Sequence, residues 1–284
     1  MIIYRDAAAL SGYLEERRSA GATVGFVPTM GALHEGHLQL ARISLGRTDL
    51  TVCSIFVNPT QFNDPKDLEK YPVTVEKDIQ MLEATGVNIL FLPDRSQIYP
   101  DGTGNLPHYE LGRLETLLEG KYRPGHFQGV CQVVHRLLLI TRPDILFMGR
   151  KDYQQCMVCR RLIELESLPV QLEVCDTIRE ESGLAMSSRN MRLSASEKER
   201  APVIHRVLTG IRRDLRSGSI ARLRESGLHE LEAGGLRPDY LEICHAHTLE
   251  PVSEWDGKAP LVALVAAYLG EVRLIDNIEL TAGS

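Results

Sequence analysis

Apolar runs that do not alternate with polar residues recur through the first two-thirds of the chain, each followed by a stretch of helical spacing. Residues 23–27, 50–57, 87–92, 144–148 and 170–175 are five such runs. A strand that is apolar at every position must be buried on both faces, as in a parallel sheet covered by helices. The helical stretches fall at 7–18, 38–45, 75–85, 129–141 and 153–166. Asp6 is placed to cap the first, Gly86 to stop the third, and Pro143 to bar extension of the fourth. Right-handed crossovers then predict a doubly wound α/β domain whose ligands bind beyond the carboxyl ends of the strands.

The pattern changes after about residue 178. A polar loop is expected over 179–192, one long helix over 196–216 and a shorter one over 219–232, then strands at 240–246, 261–269 and 272–280. The last alternates Val272, Leu274, Ile278 and Leu280 with Arg273, Asn277 and Glu279, the mark of an antiparallel strand with one wet face. The expected organisation is a doubly wound domain over 1–178 and a smaller α+β domain over 179–284.

At 284 residues with 43% hydrophobic and 25% charged side chains, the chain is long enough for two packed cores and too apolar to be disordered. A net charge of −6 argues against nucleic acid as a partner. The start of the chain lacks a secretory leader pattern, and the longest apolar run, from Leu261, reaches about half a membrane span. Six cysteines lie scattered in apolar stretches. The expectation is a cytoplasmic protein with reduced thiols and no membrane segment.

The strongest chemical signal is the segment PTMGALHEGH, in which a strand runs through Met30, Gly31, Ala32 and Leu33 into a helix start carrying His34, Glu35, Gly36 and His37. Free backbone N–H groups and the positive helix end attract phosphate there, and imidazoles can bind phosphate oxygens as charge builds. Two surface histidines or a zinc pair are the alternatives, and zinc lacks a third ligand nearby in sequence.

A second cluster, Gly149, Arg150, Lys151 and Asp152, ends the fourth apolar run; Lys151 suits phosphate, while Asp152 is also a plain helix cap. A third, Met186, Ser187, Ser188 and Arg189, offers two hydroxyls and a guanidinium as a grip on a triphosphate, or a solvated hinge. Asn58 and Gln61 after the second run present amides suited to a small hydroxylated or carboxylated substrate, with a simple turn as the alternative. Arg123 and His126 form a comparable loop. The Cys156/Cys159 pair lies within one helix and reads as buried thiols. No dinucleotide glycine pattern follows the first run, and no GxxxxGK[ST] occurs.

PTMGALHEGH, NPTQF, KYRPGHFQGV, MGRKDYQQ and AMSSRN, in this order over essentially the whole chain, resemble the pantoate–β-alanine ligase family. The HxGH element alone marks the wider superfamily of HIGH-type nucleotidylyltransferases and class I aminoacyl-tRNA synthetases; the five together are specific. The resemblance implies a Rossmann-like domain with a smaller C-terminal lid, a homodimer, ATP with magnesium (Mg2+), and pantoate and β-alanine as substrates. It implies ATP contacts at Met30 to His37, Gly149 to Asp152, Ile178 and Met186 to Arg189, with His37 as proton donor and His34 beside it. Gln61 is implied in contact with pantoate and β-alanine, and Gln155 with pantoate. Arg150 stands where the family commonly has glutamate, and Ile178 where it has valine. Another nucleotidylyltransferase of the same superfamily is the nearest alternative, and a non-catalytic nucleotide sensor a more distant one.

Overall fold

The computed structural model describes residues 1–280. In chain order its elements are β1 (Ile2–Tyr4), α1 (Ala7–Ser19), β2 (Val24–Thr29), α2 (Glu35–Leu45), β3 (Leu50–Ile55), α3 (Pro65–Glu69), α4 (Val75–Thr85), β4 (Ile89–Phe91), α5 (Arg95–Ile98), α6 (Leu118–Tyr122), α7 (His126–Thr141), β5 (Ile145–Gly149), α8 (Tyr153–Leu165) and β6 (Gln171–Cys175). They continue with α9 (Ala195–Arg200), α10 (Val203–Asp214), β7 (Gly218–Ser219), α11 (Ala221–Ala233), β8 (Arg237–His245), β9 (Glu254–Trp255), β10 (Leu261–Leu269) and β11 (Val272–Leu280).

The chain forms two compact units. One comprises Met1–Glu115, Arg123–Arg150 and Gln155–Asp176; the other comprises Thr116–Tyr122, Lys151–Gln154 and Thr177–Ser284, of which 281–284 lie outside the described residues.

The first unit holds a six-stranded sheet in the order β1-β4-β3-β2-β5-β6, parallel at each pairing. It is the doubly wound α/β architecture, and β2 and β5 flank the point where the winding reverses. Their pairing ends at Phe26↔Leu146. Two residues later Pro28 has no N–H to donate, so the two strands part near their carboxyl ends, where such sheets bind ligands. Val24, Phe26, Leu146 and Phe147 are fully buried beneath the flanking helices, and burial of each such side chain contributes roughly 1.5–3 kcal/mol. At Gly25 an added Cβ would lie 2.2 Å from Ser44 Oγ, so glycine sets how closely α2 approaches β2. The strand β1 is absent from the sequence expectation. It is three residues long at the sheet edge with Ile2 and Ile3 exposed, too brief for a hydrophobic pattern to declare it.

The second unit carries an antiparallel sheet, β11-β10-β8, against α10 and α11. The single helix expected over 196–216 is two helices. Pro202 has no N–H to donate to the preceding turn, so α9 ends and α10 begins there although Ala201 itself keeps helical backbone angles. The insert bearing α6 belongs to this unit because Glu119 is buried in it. Arg273 grips that carboxylate through both terminal nitrogens at 2.8 and 2.7 Å, and the Tyr240 hydroxyl donates to it at 2.9 Å. A buried carboxylate requires such a partner. Among the described residues all six cysteines are buried and unbridged, and no helix is long and apolar enough to cross a membrane.

Candidate active site

The PTMGALHEGH segment leaves the carboxyl end of β2 and starts α2. Gly31 and Ala32 take left-handed backbone angles, φ 82° and 48°. The turn is held by Asp78, a fully buried carboxylate on α4 that accepts from Ala32 N and Leu33 N, both at 2.8 Å, and from Thr74 Oγ1 at 3.0 Å. His34 is the residue that caps α2, not a member of its first turn. Its Nδ1 accepts from Gly36 N at 3.2 Å, while His37 Nδ1 accepts from His34 N at 3.3 Å. The ring centroids lie 4.0 Å apart.

These contacts change how the segment can meet an anion. The amides of Ala32, Leu33, His34 and Gly36 have acceptors inside the protein, so they are not the free donors expected at a helix start. Because each Nδ1 accepts a backbone N–H, the proton of each neutral ring sits on Nε2, making Nε2–H a donor of defined direction.

At the same end of the sheet, Gln61 lies on a short 3₁₀ turn, Pro59–Gln61. Asn58, expected to line the substrate site, is 1% exposed. Its Nδ2 donates to Gln61 Oε1 and Gly129 O, both at 3.1 Å, and its Oδ1 accepts from the Tyr99 hydroxyl at 2.8 Å. Asn58 therefore orients Gln61 instead of presenting its own amide. With Gln61 Oε1 accepting from Asn58, Gln61 Nε2 donates one hydrogen to Met30 Sδ at 3.0 Å, and the amide keeps a second N–H. His126 and Arg123 also act on this turn: His126 Nδ1 donates to Gln61 O at 2.8 Å and Arg123 to His126 Nε2 at 3.1 Å. Gly129 on α7 packs so closely that an added Cβ would lie 2.3 Å from Thr60 O.

Gly149 ends β5 and accepts from Cys156 Sγ; Arg150 pairs with Asp176 at 3.1 Å. Arg150 therefore has a carboxylate partner within its own unit. Gln155, on α8, is half-buried.

In the second unit Lys151 Nζ lies 3.6 Å from Asp152, and Lys151 O accepts from Asn277 Nδ2 at 2.9 Å. Ser187 caps a 3₁₀ turn, Ser188–Arg192, its Oγ accepting from Arg189 N. Met186 N donates to Ile178 O at 3.0 Å, closing a small loop. Ser188 is buried; Met186, Ser187 and Arg189 are half-buried. Among the described residues, no three His, Cys, Asp or Glu side chains gather to hold a metal ion.

Asp78 was legible in principle. On α4 it shares the stripe of Val75, Ile79 and Leu82, an acid where the helix pattern calls for an apolar side chain. Asp276 is the same anomaly on the inward face of β11.

A doubly wound sheet with a paired-histidine turn at its winding reversal defines an α/β enzyme of the HIGH-type nucleotidylyltransferase class. The profile of the pantoate–β-alanine ligase family matches residues 2–279, and the chain belongs to that family. It is 47% identical over 262 residues to a pantothenate synthetase of Shewanella oneidensis, covering 92% of each chain. It is 41% identical over 283 residues to that of Porphyromonas gingivalis, covering 98% of this chain and 99% of the relative. The crystal structure of pantothenate synthetase from Thermus thermophilus superposes with a TM-score of 0.90 at 41% identity, covering 99% and 100% of the two chains. A pantoate–β-alanine ligase from Francisella tularensis, complexed with β,γ-ATP and β-alanine, gives 0.81 at 36% identity, covering 98% and 97%.

Proposed function

We propose that the chain condenses pantoate with β-alanine at the expense of ATP, through a pantoyl adenylate, yielding pantothenate, AMP and pyrophosphate. The observation that carries this is the family match over residues 2–279, which includes every motif segment described above.

The chemistry follows from the substrate. A free carboxylate has no leaving group an amine can displace. Attack of its oxygen on the α-phosphorus of ATP forms the P–O bond of a mixed anhydride and expels pyrophosphate. The β-alanine amine then attacks the acyl carbon, AMP departs with the C–O bond electrons, and the amine proton passes to solvent or a nearby base. His34 and His37 Nε2–H donors answer negative charge on the transferring phosphate, with Lys151, Ser187 and Arg189 as further donors. Removing one such donor typically slows a reaction by roughly 10²–10³-fold. Gln61 Nε2 suits an oxygen of pantoate, with Gln155 as a second amide. Gly149, Arg150, Asp152, Met186, Ser188 and Ile178 are backbone and lining contacts to ATP in this reading.

Magnesium enters with the nucleotide. The residues present fit an ion held chiefly by triphosphate oxygens, since magnesium commonly takes one or two carboxylates at most and Asp152 is a half-exposed candidate. We also infer a cytoplasmic homodimer. Reduced, unbridged cysteines suit that compartment, and light scattering of the purified chain reports the dimer.

The deciding experiment omits ATP, magnesium, pantoate and β-alanine in turn. Pyrophosphate release must need pantoate but not β-alanine, and AMP release must need both. Nucleotide retained on the final product overturns the reading in favour of a nucleotidyl transferase.

A further inference from the structure

We propose that two adjacent residues of β11, Asp276 and Asn277, are positioning residues that hold Lys151 and the Met186–Arg189 segment for ATP. This rests on the function proposed above and deepens it.

Both residues are 4% exposed, although they sit on a strand of the smaller unit with no expected chemistry. Asp276 binds Arg179 through both oxygens, at 2.6 and 3.0 Å. Arg179 stands at the base of the loop that leads to Met186: it pairs with Ala185 across the loop and donates to Gly183 O at 3.1 Å. Asn190, just beyond the serines, ties back through Nδ2 to Glu180 Oε1 at 2.8 Å and Ala185 O at 3.1 Å. The loop is thus closed on itself, with the Arg179–Asp276 fork joining it to the sheet.

The next residue does the same for the other segment. Asn277 Nδ2 donates to Lys151 O at 2.9 Å. Asp276 Oδ1 also accepts from Asn277 N at 2.8 Å, which stiffens the pair. Successive strand residues point to opposite faces, so one dipeptide can hold two separate stretches of chain. Neither residue has to touch nucleotide; each sets the place of a group proposed to do so.

The test measures pantoate-dependent ATP–pyrophosphate exchange in the full-length enzyme for Asn277→Ala and Asp276→Asn. Ile278→Ala, a buried neighbour on the same strand, serves as the control for general weakening. The expected result is a fall in kcat/KM for ATP of roughly ten- to a hundredfold, as misplacement of binding groups produces, while Ile278→Ala lowers Tm with kinetics near those of the parent. Combined with Lys151→Ala, Asn277→Ala adds little further loss. Losses in all three single variants that track Tm alone, or full additivity with Lys151→Ala, overturn the proposal. Normal exchange in Lys151→Ala overturns the site reading itself; defective Lys151→Ala beside normal Asn277→Ala overturns only the positioning role.

Discussion

The histidine turn in the first unit and the Lys151 and Met186–Arg189 segments in the second are held by opposite means. His34 and His37 cap each other across three residues, and one carboxylate, Asp78, secures the turn before them. Lys151 and the serine–arginine segment depend on Asn277 and Asp276, the first 126 residues from Lys151 and the second 97 from Arg179. The imidazole contacts of the first form with their own helix, and only the Asp78 link reaches to another element, α4. The second exists only when β11 has docked. Donor direction in the first unit is therefore a local property, and that of the second depends on the integrity of the whole unit.

His37→Gln separates cap from chemistry. Glutamine at the third helical position can still accept from the cap residue's backbone, so stability is retained while adenylate formation falls roughly 10²–10³-fold for want of the imidazole donor. Single-turnover adenylation at the parent rate in this variant removes the ring from the chemistry.

Asp78→Asn turns one acceptor oxygen into an NH2 group facing the Ala32 or Leu33 amide. The expected loss of stability is about 1.5–3 kcal/mol, the scale of hydrogen bonds to a charged group, read by urea unfolding, together with slowed adenylation. Unchanged unfolding and kinetics would show that the turn holds itself.

Gly129→Ala presses a methyl against Thr60 and displaces the Gln61 turn. The KM for pantoate should rise roughly tenfold while that for ATP stays put, within the range for misplaced contacts. A shift in the ATP constant instead would place Gln61 elsewhere in the reaction.

The smallest effect concerns pH. Desolvation first, then Arg179 and Arg212, lower the pKa of His205 against the opposing pull of Asp276. A base whose folded pKa lies below its unfolded value binds more protons when unfolded. The stability it carries at neutral pH is therefore lost as pH falls through the unfolded value, about 6.5. The Tm should drop as pH is lowered through that value, and His205→Gln should flatten the slope. An equal slope in the variant would assign the dependence to other groups.

The α/β class, the helix 75–85, the strands 261–269 and 272–280, and the signature segments were all legible in the sequence, because burial on both faces and helical spacing are local patterns. The edge strand β1 and the break at Pro202 were not read, the one for brevity and the other because the apolar spacing continues across it. The assignment of Thr116–Tyr122 and Lys151–Gln154 to the second unit had no sequence signal, since both are defined by partners such as Arg273 and Asn277 far along the chain.

Residue order by itself determined most of the elements and the segments that carry the family signature, since spacing and residue type act over a few positions. Only the tertiary structure decided that Asp78 secures the turn before the histidines, that Asn58 is buried against Gly129 and Tyr99, and that a β11 dipeptide holds two remote segments. Hydrogen-bond partners separated by tens of residues are selected by packing, and packing has no period to read.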